Sequence, residues 1–418
     1  MTLENKTILV IGGGISGITA AVEAAEVGFE VILIEKEAYL GGRVARTYKY
    51  FPKMCPPSCG MEINFKRIRN NPRIKVLTLS EVTKITGDAG NFEVSVRKNP
   101  RFVTGRTAIP SSVVDKLSSE IDSDFNLGMN QTKALYYPHP MAFPPQYVLD
   151  KEALSPEDRA ILENECGEGA IDFDQQPEEL TFKVGAIIAA TGWSPYDAQK
   201  MENLGFGRCE NVITNVMMER LSDQTGPTQG RLIRPSDQKE IKNIAFAQCA
   251  GSRDEKFLPY CSAVCCMGSL KQARYVLEKD PEAHVSIFYI DIRTISRHEK
   301  FYYDLLENDR VTFIKGKVAK VAEDPNTQDL LIEAEDSLQG AKIHQTFDLV
   351  VLATGVVPNT AHAKIPYEGL QYDEYGFIRP NGVKGIYSAG CIQRPSDVSR
   401  CVRQATGAAL KAIQCLKG

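Results

Sequence analysis

The uninterrupted apolar run Ile8-Leu9-Val10-Ile11 leads directly into Gly12-x-Gly14-x-x-Gly17. A short apolar run without alternation predicts a strand buried on both faces, and the small and apolar residues after Gly14 predict a helix. A second apolar run ends at Glu35, 18 residues after Gly17. Strand, glycine turn and helix N-terminus together make an anion site, because free backbone N–H groups and the positive end of the helix dipole face a pyrophosphate. Glu35 stands about where an acidic side chain takes ribose hydroxyls. A glycine fingerprint alone would equally describe a tightly packed βα turn with no ligand. Here the whole βαβ unit is present, and it predicts dinucleotide binding.

The same pattern recurs. Val184 to Gly192 (VGAIIAATG) and Leu349 to Gly355 (LVVLATG) are buried-strand runs that end in Ala-Thr-Gly, and Gly385 to Gly390 (GIYSAG) precedes a helix-like stretch from Arg400 to Leu416. A second αβ unit opens at Ile241. Ile244 to Gln248 predicts a strand, Ala263 to Leu277 a helix and Val285 to Asp291 another strand, with Asp291 at the acidic ribose position. Between Asn99 and Leu180 lies a Pro-, Asp- and Ser-rich stretch without clear periodicity, including Tyr136-Tyr137-Pro138-His139-Pro140, which reads as an excursion. The expected class is α/β with two dinucleotide-binding, Rossmann-like domains. Residues 1–99, 181–204 and 361–418 build the first, 100–180 the excursion and 205–360 the second.

Composition narrows the function. The 418 residues are 43% hydrophobic and 24% charged, an ordinary globular balance with room for two or three cores. A net charge of −4 carries no basic footprint, so nucleic acid is not an expected partner. No uncharged apolar run reaches the ~20 residues of a membrane span, and the amino end lacks a charged leader with a cleavage site, so a cytoplasmic protein is expected. Eleven cysteines in that setting point to metal or redox chemistry rather than a secreted disulfide framework.

The residues after Glu35 decide the dinucleotide. Glu35-Lys36 leads to Gly41-Gly42-Arg43, which resembles the FAD-binding opening of flavoproteins with two dinucleotide domains, of the thioredoxin-reductase type; the Ala-Thr-Gly turns and the Ala-Gly ending agree with that class. FAD is the expected cofactor. Where the second unit would carry its own glycine motif, the chain reads CAGSRDEKFLPYCSAVCCMGS, with no recognisable pyrophosphate cradle. Cys249 is followed after eleven residues by Cys261, after three more by Cys265, and then by Cys266. Four thiolates match the ligand demand of a 4Fe-4S cluster, yet the spacing is not that of a bacterial ferredoxin. On the residues alone a cluster, a zinc or dithiol site, and simple packing all stay open.

With the flavin motif, that constellation resembles the flavin subunit of heterodisulfide reductase across almost the whole chain. The carrying segments are Gln248-Cys249-x-Gly251-Ser252-Arg253-Asp254, Ala170-Ile171-Asp172-Phe173-Asp174 and Ala389-Gly390-Cys391. By size the likeness is to shortened members from quinone-interacting membrane-bound oxidoreductase complexes of sulfate reducers. The excursion then corresponds to a ferredoxin-like insertion that has lost its cluster ligands, since only Cys166 stands there. The resemblance implies a nicotinamide site replaced by a 4Fe-4S cluster on Cys249, Cys261, Cys265 and Cys266. It implies FAD contacts at Gly12, Gly14, Ile15, Ser16, Gly17, Glu35, Lys36, Gly42, Arg43, Val82, Ala190, Thr191, Gly192, Gly390, Cys391, Gln404 and Ala405. Implied partners are adenylylsulfate reductase, a haem-bearing membrane subunit handling quinone, and a related flavin and iron–sulfur subunit. The implied location is the inner face of the cytoplasmic membrane, held through those partners. The rival expectation is an NAD(P)H-dependent disulfide reductase using Cys55 and Cys59. Cys166, Cys209, Cys401 and Cys415 show no clustering and are expected to be structural, and the five histidines show no metal spacing.

Overall fold

A computed structural model of the chain describes residues 5–417 apart from positions 52, 106, 296 and 381. The elements that build its two parallel sheets are, in chain order, β1 (Thr7–Ile11), α1 (Ile15–Glu26), β2 (Glu30–Ile34), β3 (Ile74–Leu77), β4 (Ala186–Ala189), β5 (Val212–Thr214), β6 (Asn243–Ala250), α2 (Cys265–Lys279), β7 (His284–Tyr289), β8 (Val311–Lys315), β9 (Leu349–Thr354), β10 (Ile386–Ser388) and α3 (Val398–Lys417). The first sheet runs β10-β4-β1-β2-β3 and the second β5-β9-β6-β7-β8, all neighbours parallel. Unbroken apolar runs suit these strands because both faces are covered. In β1, Ile8 and Val10 pack toward α1 while Leu9 and Ile11 join the opposite core. In β6, Ile244 and Phe246 pack toward α2 while Ala245 and Ala247 meet Phe288, Val350 and Leu352.

Helix α1 is rich in alanine, a strong helix former, and its Ala20, Ala21 and Ala24 share a core with Ala405, Ala408 and Ala412 of α3. Small residues on both faces let the two helices approach closely. This packing brings the C-terminal helix onto the dinucleotide unit at the other end of the chain.

The excursion leaves after strand Asn91–Lys98 and returns through Glu178–Val184, which pair antiparallel with Lys98 opposite Glu178. It is not structureless. Helices Ser111–Lys116 and Pro156–Glu165 and the short pair Leu135–Tyr136 with Val148–Leu149 enclose their own core of Val103, Val113, Leu117, Leu135, Leu149 and Leu162. The weak periodicity reflects how short these pieces are. Two short antiparallel strands, Trp193–Pro195 and Val356–Pro358, follow β4 and β9 and tie the two sheets together.

Candidate functional site

In a doubly wound sheet, ligands bind beyond the carboxyl ends of the strands where the strand order reverses. In the first sheet that point lies between β1 and β4, and a cleft of about 500 Å³ opens there. Gly12, Gly14, Ile15 and Ser16 line it from the turn into α1, Glu35 and Lys36 from the end of β2, and Gly42 and Arg43 from the short helix Gly42–Ala45. Val82, Ala190, Thr191, Gly192 and Cys391 complete the expected lining.

The three fingerprint glycines answer different needs. Gly12 has φ +104°, and a Cβ there would lie 2.4 Å from the Ala190 carbonyl oxygen. At Gly17 a Cβ would lie 1.8 Å from the Gly12 oxygen, so its absence seats α1 against the turn. Gly14 differs. Its backbone is extended, and a Cβ would meet nothing within 4 Å. The space before it belongs to the cleft, so a ligand can approach the bare amino end of α1.

The other groups suit a pyrophosphate and its ribose. Arg43 donates from Nε to the Trp193 carbonyl at 3.2 Å and stacks over that ring at 5.5 Å. Burial lowers its pKa, but a guanidinium stays charged in proteins. The buried Thr191 Oγ1 has no partner among the described residues. Glu35 accepts from the Gly13 N–H at 2.6 Å and the Glu37 N–H at 2.9 Å, and burial pushes its carboxyl up to about 7. A cation, a spare hydroxyl, a carboxyl and a helix N-terminus thus converge on one cleft, a set that fits the expected FAD.

Four expected contacts stand behind the lining instead. Besides Gly17, these are Gly390, Gln404 and Ala405. Gly390 has φ +78°, approaches Ser16 and donates its N–H to Gln404 Oε1 at 3.0 Å. Gln404 borders a separate hollow beside α3, and Ala405 is buried between α1 and α3. Conversely, Trp193, Asn359 and Cys401 line the cleft without belonging to any motif. Cys55 and Cys59 do not line it; Cys59 is exposed at the start of helix Ser58–Arg69.

The cysteine set occupies the matching position in the second sheet. Cys249 is the penultimate residue of β6 with φ +58°, and Cys265 and Cys266 are the first two residues of α2, all three buried. Cys261 lies in the connecting loop, where its Sγ accepts from the Ala263 N–H at 3.4 Å. Burial pushes the Cys266 thiol up to about 11 and raises Cys249 and Cys265, and in each case the charges of the other cysteines raise it further. Four bare thiolates are therefore unfavourable together, and cationic iron would relieve them. Two arginines share the site: Arg253 and Arg293 both pair with Asp291, and Cys261 holds Arg293 above its ordinary value. Asp291, expected at a ribose position, is thus occupied by arginines. Among the described residues, no three metal-binding side chains are gathered around a point that would suit one ion.

The two sites adjoin. Val264, immediately before Cys265, packs against the cluster of Val356, Cys391 and Cys401, as do Ile15 and Trp193; of these Ile15, Trp193, Cys391 and Cys401 line the first cleft. Cys265 Sγ also donates to the Thr354 carbonyl at 3.4 Å, two residues before Val356.

The family of FAD-dependent oxidoreductases matches residues 7–57. Over 98% of its length the chain is 39% identical to the first A-type iron-sulfur subunit of the CoB–CoM heterodisulfide reductase of Methanopyrus kandleri, covering 64% of that protein. It is 36% identical over its whole length to the A subunit of the H(2):CoB-CoM heterodisulfide,ferredoxin reductase of Methanothermobacter thermautotrophicus, covering 65% of it. The A subunit of the ferredoxin/F(420)H(2)-dependent CoB-CoM heterodisulfide reductase of Methanosarcina acetivorans is 35% identical over 99% of the chain, which covers 53% of that protein. The chain thus spans about half to two thirds of the length of these homologues. Among solved structures it is similar to T. acidophilum thioredoxin reductase (14% identical, TM-score 0.54, 98% of each chain). It is equally similar to bacillithiol disulfide reductase from Bacillus cereus (14% identical, TM-score 0.54, 99% of this chain and 98% of that one). At that identity the likeness concerns the fold alone.

Proposed function

We propose that this chain, homologous along its length to heterodisulfide reductase A subunits, is the FAD- and iron–sulfur-bearing electron-transfer subunit of a larger oxidoreductase complex. The observation that carries this reading is the connection between the two sites: Val264, next to Cys265, packs against the apolar cluster that includes Cys391 and Cys401 of the flavin cleft. FAD when bound supplies two-electron chemistry that can also proceed one electron at a time, and a cluster carries electrons singly, so together they couple pair and single transfers. The protein's part is to bind and orient. The α1 N-terminus and Arg43 offset the pyrophosphate charge, and Glu35 and Thr191 are available to ribose hydroxyls. Arg253, Arg293 and the α2 N-terminus offset thiolate charge at the cluster.

The iron–sulfur naming of the relatives supports the metal assignment, and the loss of the second glycine motif supports a relay in place of a nicotinamide site. The further reading is that the complex is of the quinone-interacting, membrane-bound kind. The chain would work beside two other proteins, one related to it and carrying flavin and iron–sulfur groups, the other haem-bearing and embedded in the membrane. It would exchange electrons with adenylylsulfate reductase. What supports this is the excursion, which keeps a folded core but holds Cys166 as its sole cysteine, as the shortened members would. No helix among the described residues is long and apolar enough to cross a membrane, so any membrane association of this part would run through partners. Anaerobic purification with flavin, iron and sulfide quantification tests the core of the proposal. One FAD and four irons per chain are expected, and iron-free protein whose flavin is bleached by NADH or NADPH would sink it. Co-purification with a haem-bearing membrane protein tests the assembly.

A further inference from the structure

Cys391 and Cys401 stand on either side of the turn that carries the chain from β10 into α3. Cys391 lies in the single helical turn Gly390–Ile392, and Cys401 lies in the first turn of α3. Their sulfurs are 3.9 Å apart. Both are buried, at 5% and 6% exposure, and both line the flavin cleft. The two thiols face the same acceptor, the Ser396 carbonyl, at 3.4 and 3.8 Å. Val356 shares their apolar cluster, Ile15, Trp193 and Val264 pack against it, and Val264 leads directly to Cys265.

A buried cysteine commonly serves as a small hydrophobe. Two features take this pair further. First, Asp397 caps α3 by accepting from the Arg400 N–H at 2.7 Å, and Cys401 donates its N–H to the Asp397 carbonyl at 2.9 Å. Cys401 therefore sits where the dipole of a 20-residue helix favours a thiolate. Second, the pair is asymmetric. The contact with Cys391 holds the Cys401 thiol below its ordinary value, while the contact with Cys401, together with burial, pushes Cys391 up. One sulfur is disposed to ionise while the other keeps its proton, the arrangement that thiol–disulfide exchange uses.

We infer that Cys391 and Cys401 form a redox dithiol that exchanges an electron pair with the flavin held in the same cleft, an inference that rests on the proposed binding of FAD. On oxidation two S–H bonds break and one S–S bond forms. The electron pair and the two protons pass to oxidised flavin, so that dithiol and flavin become disulfide and reduced flavin; the reverse step returns them. The sulfurs must close from 3.9 Å to a bond of ~2.05 Å. Both cysteines line the cleft, and the sulfurs need to approach by about 1.9 Å. Lying between the cleft and Val264, the pair would store electrons beside the route to the cysteine set.

The test uses the purified holoprotein, equilibrated without oxygen across a series of oxidised to reduced dithiothreitol ratios, acid-quenched, alkylated and digested. The expected result is a reversible bridge between the Cys391 and Cys401 peptides, seen as the loss of two hydrogen masses and two alkyl groups, and its absence in Cys401→Ser. In parallel, a dithionite titration of the oxidised protein should take up two more electrons per flavin in the wild type than in Cys401→Ser. If serine is rejected by the apolar surroundings, Cys401→Ala replaces it, and the mass measurement on unmutated protein needs no variant. Thiols that stay alkylated in the most oxidising mixture overturn the inference, as does a bridge with equal electron uptake in wild type and variant. A bridge in protein that holds no FAD would instead sink the flavin reading and the exchange with it.

Discussion

Replacing Gly14 by valine should remove the flavin and leave the fold's stability nearly unchanged, whereas the same kind of change at Gly12 or Gly17 should destabilise the fold. Gly14 caps α1 with φ −75° and ψ −177°, a conformation that valine adopts freely, and its Cβ would point into open space. Losing a glycine's freedom in the unfolded chain stabilises by ~0.4–1 kcal/mol, and a poorer N-cap costs about as much, so stability should move by less than about 1 kcal/mol. Binding is another matter. The isopropyl group would occupy the place of the pyrophosphate, and each charge-assisted hydrogen bond lost is worth ~1.5–3 kcal/mol, roughly a 10- to 150-fold weaker complex. At Gly17 a Cβ would overlap the Gly12 oxygen at 1.8 Å, and at Gly12 it would lie 2.4 Å from the Ala190 oxygen with φ +104°. Overpacking and strain of that kind cost ~1–3 kcal/mol each. Urea denaturation of the flavin-free proteins, with flavin content from absorbance, separates the two effects. A Gly14→Val protein that keeps stoichiometric FAD, or one that is as unstable as Gly17→Ala, would refute the reasoning.

Cys265→Ala and Cys266→Ala should each lose iron while keeping FAD, because a lost thiolate removes both a bond and part of the charge balance of a cluster; metal and flavin analysis of anaerobic protein decides, and undiminished iron would count against the four-cysteine set. The Cys55→Ser, Cys59→Ser double variant should keep its flavin and still be reduced by the natural donor, since neither thiol lines the cleft; loss of reduction with intact cofactors would revive the disulfide-reductase reading. For Glu35 the sign of the pH dependence comes from its raised pKa, about 7 when folded against 4.5 ordinarily. Between those values the unfolded chain has given up the proton while the folded one holds it. Stability of the flavin-free protein should therefore fall as pH rises through that window, by on the order of 3 kcal/mol. Glu35→Gln should flatten that slope in denaturation curves measured from pH 4 to 8, and an unchanged slope would assign the effect elsewhere.

Local pattern was enough to mark the central strands of both sheets as apolar runs, because a strand covered on two faces has no place for polar side chains, but it did not mark the edge strands Ile74–Leu77, Val212–Thr214 and Val311–Lys315. The second unit came out nearly residue for residue: a strand expected over 244–248 is Asn243–Ala250, and a helix expected over 263–277 is Cys265–Lys279. The cysteines of that turn stood out through their density and type. Periodicity was a poorer guide between 99 and 180, where elements of two to ten residues complete too few repeats to register. Which residues meet was legible only in the folded chain. There Gly12, Gly14 and Gly17 are glycines for three different spatial reasons, Gln404 and Ala405 support the cleft from behind, and Cys55 and Cys59 lie apart from it. Cys401, which no motif singled out, comes to within 3.9 Å of Cys391, and Val264 packs against the cluster that holds them. Such contacts depend on how α3 packs onto α1 and how the Val356–Pro358 strand reaches back to Trp193–Pro195. Those are long-range packing choices, and no window of neighbouring residues carries them.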